Sequence, residues 1–79
     1  MGAKNIIVMD DLSLGRRVRI ARFAKGWRQI DLAAYANVQM SDVSFVERDW
    51  RVRRDKLIRI LKALELYDPA MPIPDDAPW

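Results

Sequence analysis

The chain has 79 residues, 51% of them hydrophobic, and its 14 Lys/Arg against 11 Asp/Glu leave a formal charge of +3. That length makes one small domain with a modest core, and the hydrophobic fraction excludes a disordered chain. With no cysteine and no histidine, the chain has no disulfides, no thiolate chemistry, almost no route to a zinc or transition-metal site, and no usual general base. No Gly-rich phosphate loop is present either, so the expectation is a non-enzyme with no catalytic residue, cofactor or metal. No run approaches the ~20 apolar residues that span a bilayer. The run Ile6–Met9 is too short for a signal-peptide core and is followed by Asp10 and Asp11, which points to a cytoplasmic protein without membrane contact.

Residues 1–12 read as an arm. Lys4 to Met9 is rich in β-branched residues and suits a short strand. Such a strand has nothing to pair with in a helical monomer, so when ordered it pairs with a symmetry mate or lies on a helix. Ser13 is the expected N-cap of a helix over 13–25, with Asp10 and Asp11 near its positive end. Leu14, Val18, Ala21 and Lys25 follow the spacing of a buried face, and Ile20, Phe23 and Trp27 form a second apolar stripe. That stripe either thickens the core or receives the arm, the tail or another subunit. Gly26 stops the helix at a position where a left-handed backbone costs it little.

A second helix is expected over 29–36 and a third over 40–48. Leu32, Ala33 and Ala36 line the inner side of one, Val43 and Val46 that of the other. Asn37 takes the left-handed corner between them and Val38 plugs the angle. Residues 29–48 therefore have the layout of a helix-turn-helix, whose second helix lies in the major groove of DNA. After a loop at Trp50–Val52, a fourth helix over 53–65 carries Leu57, Ile60, Leu61 and Leu64 inward, with Lys56, Arg59 and Lys62 outside. From Tyr67 the prolines at 69, 72, 74 and 78 impose extended geometry. The tail 67–79 is either disordered or an apolar strap carrying Met71, Ile73 and Trp79.

Charge is distributed unevenly. Residues 13–66 hold thirteen Lys/Arg and six Asp/Glu, net +7, and the flanks hold Lys4 against five aspartates, net −4. A basic helical domain between acidic ends has the electrostatic footprint of a phosphate-backbone binder.

Leu14-Gly15-Arg16-Arg17-Val18, Gly26-Trp27, Gln29-x-x-Leu32-Ala33, Asn37-Val38, Val43-x-x-Val46-Glu47-Arg48 and Leu57-x-x-Ile60-x-x-Ala63-Leu64 together resemble the Cro and phage-repressor (XRE-type) helix-turn-helix family. The resemblance runs from Leu14 to Leu66. It implies an all-α, four- to five-helix lambda-repressor-like DNA-binding domain, here with an extended N-terminal arm and a Pro-rich tail, acting as a homodimer on a two-fold-related operator. It places Gln29 on a DNA phosphate at the start of helix 2, with Arg28 extending that contact. It pairs Glu47 with Arg22 as a structural ion pair. The base-reading positions map to Gln39, Met40, Ser41, Ser44 and Phe45, where Met40 and Phe45 suit thymine methyls and the serines donate or accept. For Phe45 the alternative is packing on the protein. Asp42 is expected to point away from the DNA backbone. Arg48, Arg51, Arg53 and Arg54 fall where relatives hold phosphates. The chain departs from the family at Asp49 and Trp50, where Gly and a basic residue are common, and at Val52, where Pro is common. Trp50 is expected to flank the sugar-phosphate or to seal a dimer.

The resulting expectation is a sequence-specific double-stranded DNA-binding regulator, a homodimeric repressor of phage or mobile-element type. Its dimer contact is expected at Leu66, Tyr67 and the tail, joined by the arm. The alternative is an antitoxin or other protein-interaction module on the same fold, meeting its partner through residues 1–12 or 67–79.

Overall fold

The computed structural model describes residues 12–71 and residue 73. Four helices account for its regular structure: α1 Leu14–Ala24, α2 Gln29–Ala36, α3 Met40–Glu47 and α4 Arg54–Ala63. There is no strand among the described residues. The expected strand at Lys4–Met9, the aspartates before Ser13 and the apolar end of the tail at Trp79 lie outside the described residues.

Local chemistry accounts for where each helix starts. Ser13 is extended at the N-cap of α1 and its hydroxyl accepts the Arg16 N–H at 3.2 Å. Asp31 and Asp42 sit three residues after the N-caps of α2 and α3, and their carboxylates accept the N–H of Arg28 (2.8 Å) and Gln39 (2.9 Å). Each places negative charge at a positive helix end and satisfies an N–H with no helical partner.

All four helices stop at a residue with positive φ: Gly26 (72°), Asn37 (58°), Asp49 (60°) and Glu65 (60°). Gly26 and Asn37 are residue types suited to that backbone. Asp49 tolerates it less readily than these, and Glu65 is not suited to it. They are held there by the backbone bonds that follow, Trp50 N–H to the Phe45 carbonyl and Leu66 N–H to the Leu61 carbonyl, both 2.8 Å. In the turn between α2 and α3, Val38 N–H closes onto the Ala33 carbonyl at 3.0 Å.

The core is one cluster drawn from every helix. Val18, Leu32, Val43, Ile60 and Leu61 are fully enclosed, with Ala33, Ala36, Val46, Leu57 and Leu64 completing it. Lys25, assigned by its spacing to the buried face of α1, is instead exposed. The helix ends one residue before it, and its ammonium lies over the Trp27 ring at 5.2 Å and near Glu65 at 3.5 Å. The buried side of α1 is completed by Gly15 and Arg22. Only one of the three residues of the second stripe thickens the core. Ile20 and Phe23 are exposed, whereas Trp27 packs against the core and stacks on Tyr35 with ring centroids 4.3 Å apart. Leu66, Tyr67, Met71 and Ile73, expected at a subunit contact, pack on the protein's own core.

Gly15 is where α1 meets the end of α3. A Cβ there would stand 2.5 Å from the Val46 carbonyl oxygen and 2.8 Å from both the Glu47 carbonyl oxygen and the Asp49 carboxylate. Two of those atoms belong to the backbone and cannot swing aside. Gly15→Ala is therefore expected to lower stability by about 1–3 kcal/mol, despite the better helix propensity of alanine. A urea midpoint equal to that of the unsubstituted protein would show that the helices separate without strain.

Candidate functional site

The outer side of α3 is the candidate site, and its inner side explains why. Asp42, Val43 and Val46 are buried, which turns the remaining positions outward. Gln39, Met40 and Ser41 are exposed, Met40 at 50%, while Ser44 and Phe45 are half-buried. The five residues assigned to base reading thus share one short element and differ in accessibility. Gln39 is the N-cap, and the Ser41 hydroxyl is 3.4 Å from its amide oxygen.

Phe45 packs on the protein to an extent that its spacing did not reveal. Its ring stacks on Trp50, with centroids 5.5 Å apart, and the Arg48 guanidinium lies 5.3 Å from the Trp50 ring centre. Trp50 itself is 57% exposed. Arg48, Trp50 and Phe45 form a short stack at the end of α3, built by the reversal at Asp49. Asp49 has a second role there. Its carboxylate accepts the Gly15 N–H at 2.8 Å, a bond that a glycine at this position would lack.

Asp42 points into the protein, where Lys56 approaches its carboxylate oxygens at 3.3 and 3.4 Å. Lys56, placed on the outer face of α4 by its spacing, is half-buried for this reason. A negative charge on α3 is thereby neutralised from behind, and the outer side of the helix carries no carboxylate.

Below the site lies the ion pair. Arg22 donates through Nε and Nη2 to the two carboxylate oxygens of Glu47 at 2.6 and 3.0 Å, and through Nη1 to the Trp27 carbonyl at 2.9 Å. The two side chains are 7% and 6% exposed. Gln29, at the first position of α2, donates its amide to Glu47 at 3.2 Å. Its side chain is thus already engaged by α3. One carboxylate ties α1, α2 and α3 together.

Arg28 is exposed but not isolated. Its Nε and Nη2 lie 3.1 and 3.2 Å from the Asp31 carboxylate. The hydrogen bonds from the Arg28 guanidinium, and then from its backbone N–H, hold the Asp31 carboxyl below the ordinary aspartate range. A carboxyl with a depressed native pKa contributes stability above the ordinary aspartate value, and loses it as the pH falls through the native value. A carbon-detected titration is expected to place the Asp31 midpoint below that of a free aspartate, and Arg28→Ala, which keeps the backbone N–H, to raise it part of the way back. Equal midpoints in the two proteins would mean that the pair does not persist in solution.

Of the remaining cations, Arg53 caps α4 and pairs with Asp55 at 3.3 Å. Arg48, Arg51, Arg53 and Arg54 are all exposed, on the stretch that runs from the end of α3 to the first residue of α4. No helix among the described residues is long and apolar enough to cross a membrane. Compared with models of known families, with curated proteins and with solved structures, the chain matches none of them.

Proposed function

We propose that this chain is a sequence-specific double-stranded DNA-binding regulator of the Cro and phage-repressor type, in which α2 and α3 form the helix-turn-helix and α3 enters the major groove. The supporting observation is the two-sided character of α3. Its valines and both its carboxylates are turned into the protein, while Gln39, Met40 and Ser41 face solvent on a helical region whose net charge is +7 across residues 13–66. An eight-residue helix of this kind fits the groove, and the arginines after it fit the flanking phosphates.

Within this reading, Met40 is the principal apolar reader of thymine methyls, because Trp50 covers part of Phe45. Ser41 and Ser44 supply adaptable hydrogen bonds. Gln29 and Arg28 approach the backbone at the start of α2, with Arg28 already partly neutralised by Asp31. Two copies act together, and the regulator represses by occupying an operator and excluding polymerase. No catalytic residue, metal or cofactor is assigned to it.

Selection of binding sites from random duplexes at stated salt tests the proposal. Enrichment of a two-fold-symmetric site with half-sites one helical turn apart, about 34 Å, is the expected result. No enrichment over the starting pool would overturn it. A second reading, a protein-interaction module such as an antitoxin, is favoured by the apolar Met40 and Trp50 at a surface where bidentate polar readers are usual. A stoichiometric protein partner recovered from the native host, together with no affinity for any duplex, would select that reading.

A further inference from the structure

The outer face of α1 is a charged surface that neither the core nor the proposed DNA contact uses. Arg16, Arg19, Ile20 and Phe23 fall at i, i+3, i+4 and i+7 of one helix, so they form a single stripe. All four are exposed, Ile20 at 43% and Phe23 at 59%. No carboxylate among the described residues pairs with Arg16 or Arg19. A shallow groove of about 470 Å³ runs along the stripe, lined by Arg16, Arg19, Ile20 and Glu47. We propose that this face docks an acidic amphipathic helix of a partner protein, whose carboxylates meet Arg16 and Arg19 and whose apolar side chains meet Ile20 and Phe23.

Charge and burial decide what kind of partner fits. Glu47 borders the groove, but its side chain is 6% exposed and both its oxygens are bound by Arg22, so the groove stays positive. Phe23 is held as well as exposed. The Arg19 and Arg22 guanidinium groups lie 5.5 and 4.6 Å from its ring centre. An aromatic ring already fixed in this way loses little freedom when it is covered, which suits an anchor. Aromatic and arginine side chains are also the types that carry most of the energy of protein interfaces, and a helix laid in a groove meets such a stripe turn by turn. Double-stranded nucleic acid would satisfy the arginines but offer nothing apolar to Ile20 and Phe23 from its phosphates. A second copy would bring further arginines and no free carboxylate on this face, a contact between like charges. A helix with Asp or Glu beside apolar side chains satisfies both halves of the stripe at once.

The test uses the full chain and does not depend on DNA binding. The probes are two synthetic peptides of about eighteen residues, long enough to be helical alone. Both carry leucines along one stripe, flanked by glutamates in one peptide and by lysines in the other. Titration with the glutamate peptide is expected to shift the amide signals of Arg16, Arg19, Ile20 and Phe23 in an isotope-labelled sample, and the lysine peptide is expected to leave them in place. Arg16→Glu with Arg19→Glu, on an exposed face, is expected to weaken the glutamate peptide about tenfold and to admit the lysine peptide. Equal binding of the two peptides, or no shift on α1 with either, would overturn the proposal. A duplex that shifts the same amides would assign the face to nucleic acid, and shifts that grow with protein concentration before any peptide is added would assign it to a second copy; either also overturns it. Should the double variant fail to fold, the two peptides on the unsubstituted protein decide.

Discussion

Replacing Glu47 by alanine is expected to cost about 3–5 kcal/mol of folding stability, the range for removing one partner of a buried ion pair. The loss comes from what is left behind. Arg22 would keep its charge in a nearly dry site with two of its N–H directions unpaired, and Gln29 would lose its acceptor. The hydrogen bond from Arg22 to the Trp27 carbonyl at 2.9 Å would remain, but it carries no compensating charge. Domains of this size are stable by only a few kcal/mol, about 0.05–0.15 kcal/mol per residue, so the variant is expected to be largely unfolded at room temperature. Urea denaturation followed by circular dichroism measures this directly. Replacing both partners with apolar residues, Arg22→Met with Glu47→Leu, is expected to recover most of the loss, because no buried charge then lacks a partner. A Glu47→Ala variant within about 0.5 kcal/mol of the unsubstituted protein, the usual range for surface substitutions, would show that the pair contributes nothing to the fold.

Arg51→Gln with Arg53→Gln is expected to weaken binding to every duplex and to flatten the dependence of log K on log salt by about 1.8, or ~0.9 for each phosphate that the protein no longer neutralises. Neither residue lies on α3, so the preferred sequence is expected to stay the same. Arg53 faces Asp55 at 3.3 Å in an exposed pair, which it is expected to exchange for the phosphate. Met40→Ala makes the complementary comparison. It removes an exposed apolar side chain without removing charge, so it is expected to relax the preference at one base step and leave the slope intact. Fluorescence anisotropy at four salt concentrations separates the two behaviours. An unchanged slope in the double arginine variant would remove this loop from the proposed interface, while the contacts of α3 would still be open to test.

The features legible in the sequence were those set by neighbours along the chain. Four helices could be read from apolar spacing, since a helix must turn one side to the core whatever that side meets. Ser13 was legible as a cap because its hydroxyl bonds three residues ahead, and Gly26 and Asn37 as stops because their backbones tolerate positive φ. The pairing of Arg22 with Glu47 came from a family pattern, since nothing in local spacing joins residues 25 positions apart. What only the tertiary structure decided was which side chains meet across elements. Lys56 turned inward because Asp42 lies buried beneath it, although its own helix placed it outside. Gly15 and Asp49 gained their roles from the close approach of α1 to α3. Phe45 drew back under Trp50 once the chain reversed at Asp49. Periodicity reports which way a residue faces on its own helix. Partners in space follow only when the helices pack, and in a core this small each helix meets the others through only a few side chains.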